Sequence, residues 1–278
     1  MEVDAYLRRI GLARPRHADL AALRAIHRAH LLSIPYEDLD VQMERPVSTG
    51  VLAIFSKIVT RGRGGWCYEM NGLLGWALQE LGFRVTRSAG AVMREASGDA
   101  SIGNHLVLKV ELDEGVYLAD VGFGDGPLDP VRVEPGPFTS NGFTYALERA
   151  DGDWWRLHNH PDGGAASFDF NLAEADEAHL SERCRRLQSE PGSSFVQNLV
   201  VQQHTSAGLT ILRGRVLRHL TPSGRADHLV ESADELVTAL RREFNLDVPT
   251  AATLWPKIVR RHEEVFGAHE PSTIPPSR

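Results

Sequence analysis

The 278-residue sequence predicts an α+β fold, and three patterns support this class. Apolar residues recur at helical spacing over residues 1–85, alternate with polar residues at a period of two after residue 85, and return to helical spacing near the C-terminus. We therefore expect three parts. They are a helical bundle at 1–85, an antiparallel β-barrel at 86–190, and an α/β segment at 191–278 that ends in a loose Pro-rich tail.

The helical bundle is predicted from apolar stripes and from the residues that interrupt them. Apart from the helix that carries Cys67, stripes run over residues 6–12, 20–31 and 51–60. Pro35 breaks the pattern after the second stripe, because the residue before a proline is kept out of ideal helix geometry. The last helix is predicted to begin at or just before Cys67, and Gly82 is expected to end it.

A period of two predicts strands in the middle of the chain and again near its end. Strands are predicted over residues 85–93, 105–112, 116–121, 154–157, 168–172, 199–204, 209–220 and 226–231. A surface loop is expected at 97–101 and helical or irregular structure at 173–198. Two amphipathic helices, at 233–244 and 254–266, are predicted to close the fold, with Ser232 or Asp234 capping the first.

Composition and charge exclude several classes of protein. The net charge of −7 argues against binding to nucleic acid or to an anionic membrane surface. The sequence has no apolar run of about 18 residues and no apolar signal core at its N-terminus, so we expect a cytoplasmic protein without a membrane span. Two cysteines do not make a disulfide framework, which also fits a reducing compartment.

Cys67 is the residue around which we predict a reactive site. Unpaired backbone N–H groups and the helix dipole favour an anion at the start of a helix, so the thiol there is expected to ionise readily. The thiolate is the nucleophile. Gly64 and Gly65 precede it, and we expect them to permit a tight turn and the close approach of a substrate carbonyl. The alternative is that Cys67 is only a small buried apolar residue.

A base and a residue that orients it are predicted on the first hairpin. His105 begins one strand and Asp120 lies near the end of the next, so the register decides whether they share a face. A four-residue turn places Asp120 opposite Val107 and diagonal to His105, whereas a three-residue turn places it opposite Leu108, pointing away. In the first register Asp120 fixes the tautomer of His105, whose other ring nitrogen takes the Cys67 proton.

Further polar groups are predicted to support the nucleophile. Glu37 or Asp38 is expected to pair with Arg63 and so to fix the loop before the cysteine, with Asn71 adding hydrogen bonds one turn along the helix. The backbone N–H of Tyr68 is placed to donate to an oxyanion. The alternative is that the charged residues are simply solvated.

Several segments resemble the arylamine N-acetyltransferase family, in order and spacing, over essentially the whole chain. They are residues 6–11 (YLRRIG), 34–39 (IPYEDL), 63–67 (RGGWC), 120–124 (DVGFG) and 191–195 (PGSSF). The resemblance implies a papain-like cysteine-triad core whose C-terminal α/β part is a lid. It implies these roles: Cys67, His105 and Asp120 as the catalytic triad, and Glu37, Arg63 and Asn71 as the supporting network.

The resemblance also implies a reaction and its ligands. Acetyl-CoA is the expected donor and no metal is required. In a ping-pong route the thiolate takes the acetyl group, coenzyme A leaves, and an aromatic amine or hydrazine accepts. Gly124 and Gly126 are expected to offer backbone N–H groups to the pyrophosphate. Asn104, which stands where the family commonly has threonine, is assigned to the same site, and Phe123 to the acceptor pocket or, alternatively, to core packing.

Other interpretations stay open at this point. Amide synthases of biosynthetic pathways and hydrolases of the papain or transglutaminase type use the same triad, and a binding module is the non-enzymatic alternative. The complete segment at 199–266 favours the acetyltransferase. A homodimer is a further possibility. Weaker signals are His158 and His160 as a poor candidate metal pair, Cys184 as a surface or semi-buried thiol, and Arg183, Arg185 and Arg186 as a solvated face.

Overall fold

The computed structural model describes residues 1–267, and its elements follow the predicted α+β order. The first part contains α1 (Val3–Arg9), α2 (Leu20–Ser33), the short strand β1 (Tyr36–Glu37), α3 (Leu39–Gln42), α4 (Val51–Phe55) and α5 (Cys67–Glu80). A π-helical turn, Ser56–Thr60, continues α4, which confirms the helical segment predicted over 51–60. The predicted loose tail beyond residue 267 lies outside the described residues. None of the helices in residues 1–267 combines the length and apolar character that a membrane span needs.

Helix α5 is the central helix of the first part, and the sequence explains both its buried face and its end. The side chains of Met70, Leu73, Leu74, Ala77 and Leu78 are fully buried. They belong to a core that also takes residues from α1, α2 and the middle sheet. The helix ends at residue 80, and Gly82 follows with a φ of +91°, a left-handed conformation that glycine adopts without steric cost. The predicted stop is confirmed.

The middle of the chain forms one antiparallel sheet of eight strands. They are β2 (Arg84–Val92), β3 (His105–Leu112), β4 (Gly115–Ala119), β5 (Val131–Arg132), β6 (Gly136–Ser140), β7 (Phe143–Arg149), β8 (Trp155–His158) and β9 (Ser167–Phe170). The order β5-β4-β3-β2-β9-β8-β7-β6 leaves β5 and β6 as edges, so the sheet is curled but open and the predicted closed barrel is wrong. The sequence pattern missed β5, β6 and β7. Pro130, Pro135 and Pro137 interrupt this region, and proline is tolerated at the edge of a sheet.

A second antiparallel sheet joins the two ends of the chain. Its last four strands are β10 (Val200–Thr205), β11 (Gly208–Arg213), β12 (Val216–Thr221) and β13 (Gly224–Leu229). Strand β1 pairs with β10, so this sheet includes residues from the first predicted part. The single strand predicted over 209–220 is wrong, because the chain turns at Gly214, which has a φ of +58°.

The remaining helices cover the sheets. They are α6 (Arg94–Ser97), α7 (Glu177–Leu187), α8 (Ser194–Gln197), α9 (Ala233–Phe244) and α10 (Trp255–Phe266). The surface loop predicted at 97–101 is instead the end of α6 followed by a 3₁₀ turn. Ser232 caps α9 by accepting the Glu235 backbone N–H at 3.2 Å, as predicted. Apolar residues of α9 and α10 pack on the second sheet in a core of their own.

Candidate active site

Cys67 is the first residue of α5, and the two glycines before it allow the chain to pack closely. A Cβ atom on Gly64 would overlap the carbonyl oxygen of Pro35, and one on Gly65 would lie 2.7 Å from the Cβ of Glu69. Neither position has room for a side chain. The glycines therefore fit the loop before the helix against its own neighbours, and an approaching substrate is not needed to explain them.

A buried network of charged side chains holds the first turn of α5. Arg63 lies 2.7 Å from Glu37 and 3.2 Å from Asp40, so the predicted pair of Arg63 with Glu37 is confirmed. Lys57, which the sequence analysis missed, lies 2.9 Å from Glu69 and 3.0 Å from Asp40. Glu69 also accepts, at 3.3 Å, the backbone N–H of the residue before the helix. The network therefore ties the loop before α5, the π-helical turn after α4 and the start of α5 together.

The buried members of the network are three carboxylates and two cations, and the half-exposed Arg45 lies 3.8 Å from Asp40 at its edge. Burial raises the pKa of Glu69 to about 7; Glu37 and Asp40 add to the increase and Lys57 opposes it. Burial lowers the pKa of Lys57, but the same three carboxylates outweigh it and hold that pKa above its usual value. Lys57 therefore stays charged, and Glu69 takes up a proton near neutral pH. Asp38, the alternative partner for the arginine, instead accepts a backbone N–H of β10 at 3.0 Å.

His105 and Asp120 meet because the strands adopt the favourable register. Leu108 lies opposite Ala119, which places Asp120 level with Val107, although the turn itself has two residues and not four. The Nε2 atom of His105 lies 2.7 Å from Oδ2 of Asp120. Since the charged carboxylate can only accept, Nε2 carries a hydrogen and Nδ1 is left for another partner.

Asn71 fixes the carboxylate of Asp120 from the side of α5. Its Nδ2 atom donates to Oδ1 of Asp120 at 2.7 Å and to the carbonyl oxygen of Leu106 at 2.5 Å, and the backbone N–H of Gly122 donates to the same Oδ1 at 2.8 Å. Burial alone raises the pKa of Asp120, but His105, Asn71 and Gly122 outweigh burial and hold the pKa below its usual value. The carboxylate is therefore ionised and held in one orientation.

The Cys67 thiol is buried on the wall of a cavity. Burial raises its pKa well above the usual value, and Cys184 and Asp120 act in the same direction. Hydrogen bonding from the backbone of Leu106 and Tyr68 lowers it. The start of a helix does not by itself make this thiol acidic, contrary to the expectation from sequence, so its ionisation needs a proton acceptor. The backbone N–H of Tyr68 lies within hydrogen-bonding reach of the sulfur, and its role as an oxyanion donor stays a prediction.

Comparisons of sequence place the chain among known proteins. The N-acetyltransferase family model matches residues 19–253. The arylamine N-acetyltransferase of Mycolicibacterium smegmatis is 37% identical over 267 residues, which are 89% of this chain and 93% of that protein. The chain belongs to the arylamine N-acetyltransferase family. Human arylamine N-acetyltransferase 1 is 29% identical over 295 residues, covering 96% of this chain and 99% of its own.

Solved structures of the family have the same fold. The M. smegmatis arylamine N-acetyltransferase superposes with a TM-score of 0.84 at 35% identity, over 94% of this chain and 98% of that one. The Mycobacterium marinum enzyme in complex with CoA gives a TM-score of 0.84 at 32% identity, over 93% and 99%. The chain is accordingly an acyltransferase of this family, and the resemblance seen in its sequence is confirmed.

A cavity of about 730 Å³ opens beside Cys67 and His105. Phe123 lines it, with its ring centroid 5.9 Å from that of His105 and 4.7 Å from that of Phe168, so this residue is both pocket wall and core. Asn104 also lines the cavity, but its side-chain amide is bonded in both directions to the backbone of Val92, at 2.7 and 3.2 Å. Asn104 therefore holds the wall of the cavity to β2.

Gly124 and Gly126, the glycines assigned to the pyrophosphate, lie in a tightly packed turn whose residues Gly122, Phe123 and Asp125 line the cavity. Gly124 and Gly126 are not among the described residues that line the cavity. A Cβ atom on Gly124 would overlap the side chain of Gln202, and one on Gly126 would lie 3.3 Å from Phe123. The carboxylate of Asp125 accepts hydrogen bonds from the loop before β9. These residues shape a turn beside the cavity, and their contact with the pyrophosphate of CoA stays a prediction.

Cations line the part of the cavity formed by the second sheet and α10. They are Arg213, Arg218, Arg225, Lys257 and Arg261. Burial lowers the pKa of Arg213, and the charges of Arg261 and Arg218 lower it further, so these groups are close enough to repel one another. Within residues 1–267 the side chains of Arg213 and Lys257 have no hydrogen-bond or salt-bridge partner. This cluster cannot be recognised from the sequence, because its members come from separate elements that meet only in the folded chain.

The weaker sequence signals have simple structural explanations. His158 pairs with a glutamate at 2.9 Å, and His160 lies beyond the end of β8. Across the described part of the chain, no group of three or more His, Cys, Asp or Glu side chains is arranged to hold a metal. Cys184 is only 1% exposed, so it is fully buried and the predicted surface or semi-buried thiol is wrong. Arg185 and Arg186 pair with exposed glutamates, which confirms the solvated face for these two residues. Arg183 is half-buried and its Nε atom is inaccessible to solvent, so the prediction is wrong for this residue.

Proposed function

We propose that this protein transfers an acetyl group from acetyl-CoA to an arylamine or arylhydrazine through an acetyl-cysteine at Cys67. The observation that carries the proposal is the 2.7 Å contact of His105 with Asp120, beside a cavity that Cys67 and a cluster of cations also line. Acetyl transfer to arylamines is the activity of the family, and the M. marinum relative was solved in complex with CoA.

The first half of the reaction acylates the cysteine. Nδ1 of His105 takes the Cys67 proton, and Asp120 stabilises the imidazolium that forms. The thiolate attacks the thioester carbonyl carbon, and the backbone N–H of Tyr68 donates to the developing oxyanion. The carbon–sulfur bond to coenzyme A then breaks, and the proton on His105 passes to the departing sulfur. Burial raises the pKa of the thiol, so this proton acceptor is required.

The second half transfers the acetyl group to the acceptor. The amine nitrogen attacks the carbonyl carbon of the acetyl-cysteine, and His105 takes the proton that the nitrogen loses. The Cys67 sulfur leaves and is reprotonated, which returns the resting thiol. Phe123, on the wall of the same cavity, offers an aromatic face against which an arylamine ring can pack.

The phosphates of acetyl-CoA are proposed to bind at the cation cluster. Arg213 and Lys257 are the strongest candidates, because neither has a hydrogen-bond or salt-bridge partner within the described residues. Lys257 and Arg261 lie one turn apart on α10 and both line the cavity. A polyanion there would relieve the mutual repulsion of the arginines. The assignment of Gly124 and Gly126 to the pyrophosphate, made from the sequence, stays a separate prediction.

Intact-protein mass spectrometry tests the covalent step. After incubation with acetyl-CoA and no acceptor, the protein should gain the mass of one acetyl group, and Cys67→Ala should gain none. Addition of aniline or phenylhydrazine should remove the group and release the acetylated acceptor. An unmodified mass in folded wild-type protein, or an acetyl group retained in the presence of both acceptors, would refute the proposal.

A comparison of two acetyl donors, one with phosphates and one without, tests the proposed phosphate site. Arg213→Ala and Lys257→Ala should each raise the KM for acetyl-CoA by about tenfold, the effect of one lost charge-assisted hydrogen bond. Both should leave the KM for S-acetyl-N-acetylcysteamine, a thioester without phosphates, unchanged. Arg185→Ala, on an exposed face outside the cavity, is the matched control. Equal effects on both donors would show that the cluster does not bind phosphate.

A further inference from the structure

A single buried imidazole contacts both ends of the segment that carries the triad aspartate. His27 lies on α2 and is 1% exposed. Its Nδ1 atom lies 2.9 Å from the carbonyl oxygen of Leu128, and its Nε2 atom lies 3.2 Å from the backbone nitrogen of Asp120. A carbonyl oxygen accepts and a backbone N–H donates, so Nδ1 must carry the hydrogen and Nε2 must present its lone pair. The two contacts together require one neutral tautomer.

We propose that His27 is a positioning residue for the catalytic triad. Its two hydrogen bonds, which we call the clamp, hold the segment 120–128 at both ends and so orient the Asp120 carboxylate toward His105. The inference rests on the triad proposed above. Along the chain His27 is far from both contacts, so it joins the helical part of the molecule to the edge of the middle sheet. The clamp acts through Asp120 and does not touch the reacting atoms.

The clamped segment needs such a support because the strand ladder stops where it begins. Leu108 opposite Ala119 is the last pair between β3 and β4, and residues 120–128 adopt no regular secondary structure. The backbone N–H of Asp120 therefore finds its partner in His27, outside the sheet. Two residues on, Gly122 approaches Cys67 so closely that a Cβ atom would lie 2.7 Å from the Cys67 Cα. A shift of this segment would therefore move both the Asp120 carboxylate and the backbone that packs against Cys67.

The surroundings of His27 favour the neutral form that the clamp requires. Burial lowers its pKa, although the carbonyl of Leu128 and the carboxylates of Asp120 and Asp129 raise it. Protonation would put a hydrogen on Nε2 and turn it toward the N–H of Asp120, which would break the contact. The ionisable groups that face His27 are Asp120, Asp129, His30 and His204.

A second histidine on the same helix supplies a matched control. His30 is three residues further along α2 and is also fully buried. Its Nδ1 atom bonds to the hydroxyl of Tyr6 at 2.9 Å, and no hydrogen bond links its side chain to residues 120–128 among the described residues. Substitution of His30 therefore reports the cost of disturbing the core around α2 without the clamp.

Two amide substitutions test separately the hydrogen bond that Nδ1 of His27 donates and the one that Nε2 accepts. His27→Asn places an amide nitrogen near the position of Nδ1 and keeps the bond to Leu128. His27→Gln places a carboxamide oxygen near the position of Nε2 and keeps the bond to the Asp120 N–H. We would measure the second-order rate of Cys67 alkylation by iodoacetamide from pH 5 to 9, together with the melting temperature. Alkylation needs no acyl donor, so this test does not depend on the identity of the donor.

His27→Asn should lower the rate at pH 7 by about ten- to hundredfold, the effect of one lost buried hydrogen bond, and should move the midpoint of the pH profile upward. His27→Gln should lower the rate by much less. His30→Asn should leave the midpoint unchanged, whatever its melting temperature. Equal losses in both His27 variants with no change of midpoint would show that His27 is only a core residue. An unchanged profile in Asp120→Asn would instead refute the triad itself.

The wild-type protein gives a measurement that does not depend on any variant folding. Long-range ¹H–¹⁵N correlation spectra of the histidine side chains distinguish the two neutral tautomers. The clamp requires His27 to be protonated on Nδ1 and unprotonated on Nε2 at pH 7. A hydrogen on Nε2 would overturn the proposal.

Discussion

Replacement of Glu69 by glutamine should make the protein more stable above neutral pH. Glu69 is buried beside Lys57, and the buried part of its network contains one more carboxylate than it has cations. Glutamine has the same shape and keeps an oxygen that can accept hydrogen bonds both from the Lys57 amine and from the backbone N–H at the start of α5. It removes only the surplus charge. The variant therefore separates the charge of Glu69 from its hydrogen bonds.

The size and sign of the effect follow from the pKa of Glu69. Burial raises this pKa from 4.5 to about 7 in the folded protein. Between these pH values the folded state binds a proton that the unfolded state has lost, so the stability contributed by this group falls as the pH rises through 7. A difference of about 2.5 pKa units corresponds to about 3 kcal/mol. Glu69→Gln should match the wild type near pH 4.5 and exceed its free energy of unfolding by about 3 kcal/mol at pH 8.

Urea unfolding followed by tryptophan fluorescence at pH 5, 6, 7 and 8 measures this difference. Other titrating groups are common to both proteins, so they cancel when the two curves are subtracted. Glu80→Gln, at the exposed end of the same helix, is the control and should run parallel to the wild type. A difference between Glu69→Gln and wild type that stays constant with pH, or that shrinks as the pH rises, would refute this account of the network.

Two further substitutions test the active-site geometry. Asp120→Asn should lower kcat/KM for acetyl transfer by about 10⁴-fold with little change in melting temperature, because an amide facing Nε2 of His105 selects the wrong tautomer; a loss below tenfold would contradict the assigned role. Gly64→Ala should lower the free energy of unfolding by about 1–3 kcal/mol, since its Cβ meets the Pro35 carbonyl. Gly192→Ala, where a Cβ meets nothing, should change it by less than about 0.5 kcal/mol in the same urea titration.

The parts of the fold that the sequence predicts are those encoded by local patterns. Helix α5 could be recognised because its buried face and its glycine stop lie within sixteen consecutive residues, 67–82. The hairpin of β3 and β4 was equally clear, although its register depended on a turn whose length the sequence left open. Strand β6 was missed because Pro137 hides its pattern, and closure of the sheet was wrongly expected because alternation does not say which strands are edges.

In the candidate active site, too, only the residues that share a local motif can be recognised from the sequence. Cys67 and Arg63 stand in one motif, so chemical reasoning from the sequence reached them directly. Lys57 was missed because it looks like an ordinary exposed lysine until the fold buries it against Glu69 and Asp40. The cations that line the cavity come from β11, β12, β13 and α10, and no spacing along the chain relates them. Such groups become a site only through long-range packing.

The division of the chain into three parts therefore does not describe how the site is held. Cys67, the proposed nucleophile, comes from the first part and His105 from the middle one. Asn71 and His27, both in the first part, nevertheless bond to Asp120, which directly follows β4 of the middle sheet. Strand β1 in turn pairs with β10, at the edge of the sheet that carries the cation cluster. Loosening any one of these contacts should disturb all three parts at once. The proposed triad is thus a property of the junction between the parts, and a fragment that contained only one of them would lack it.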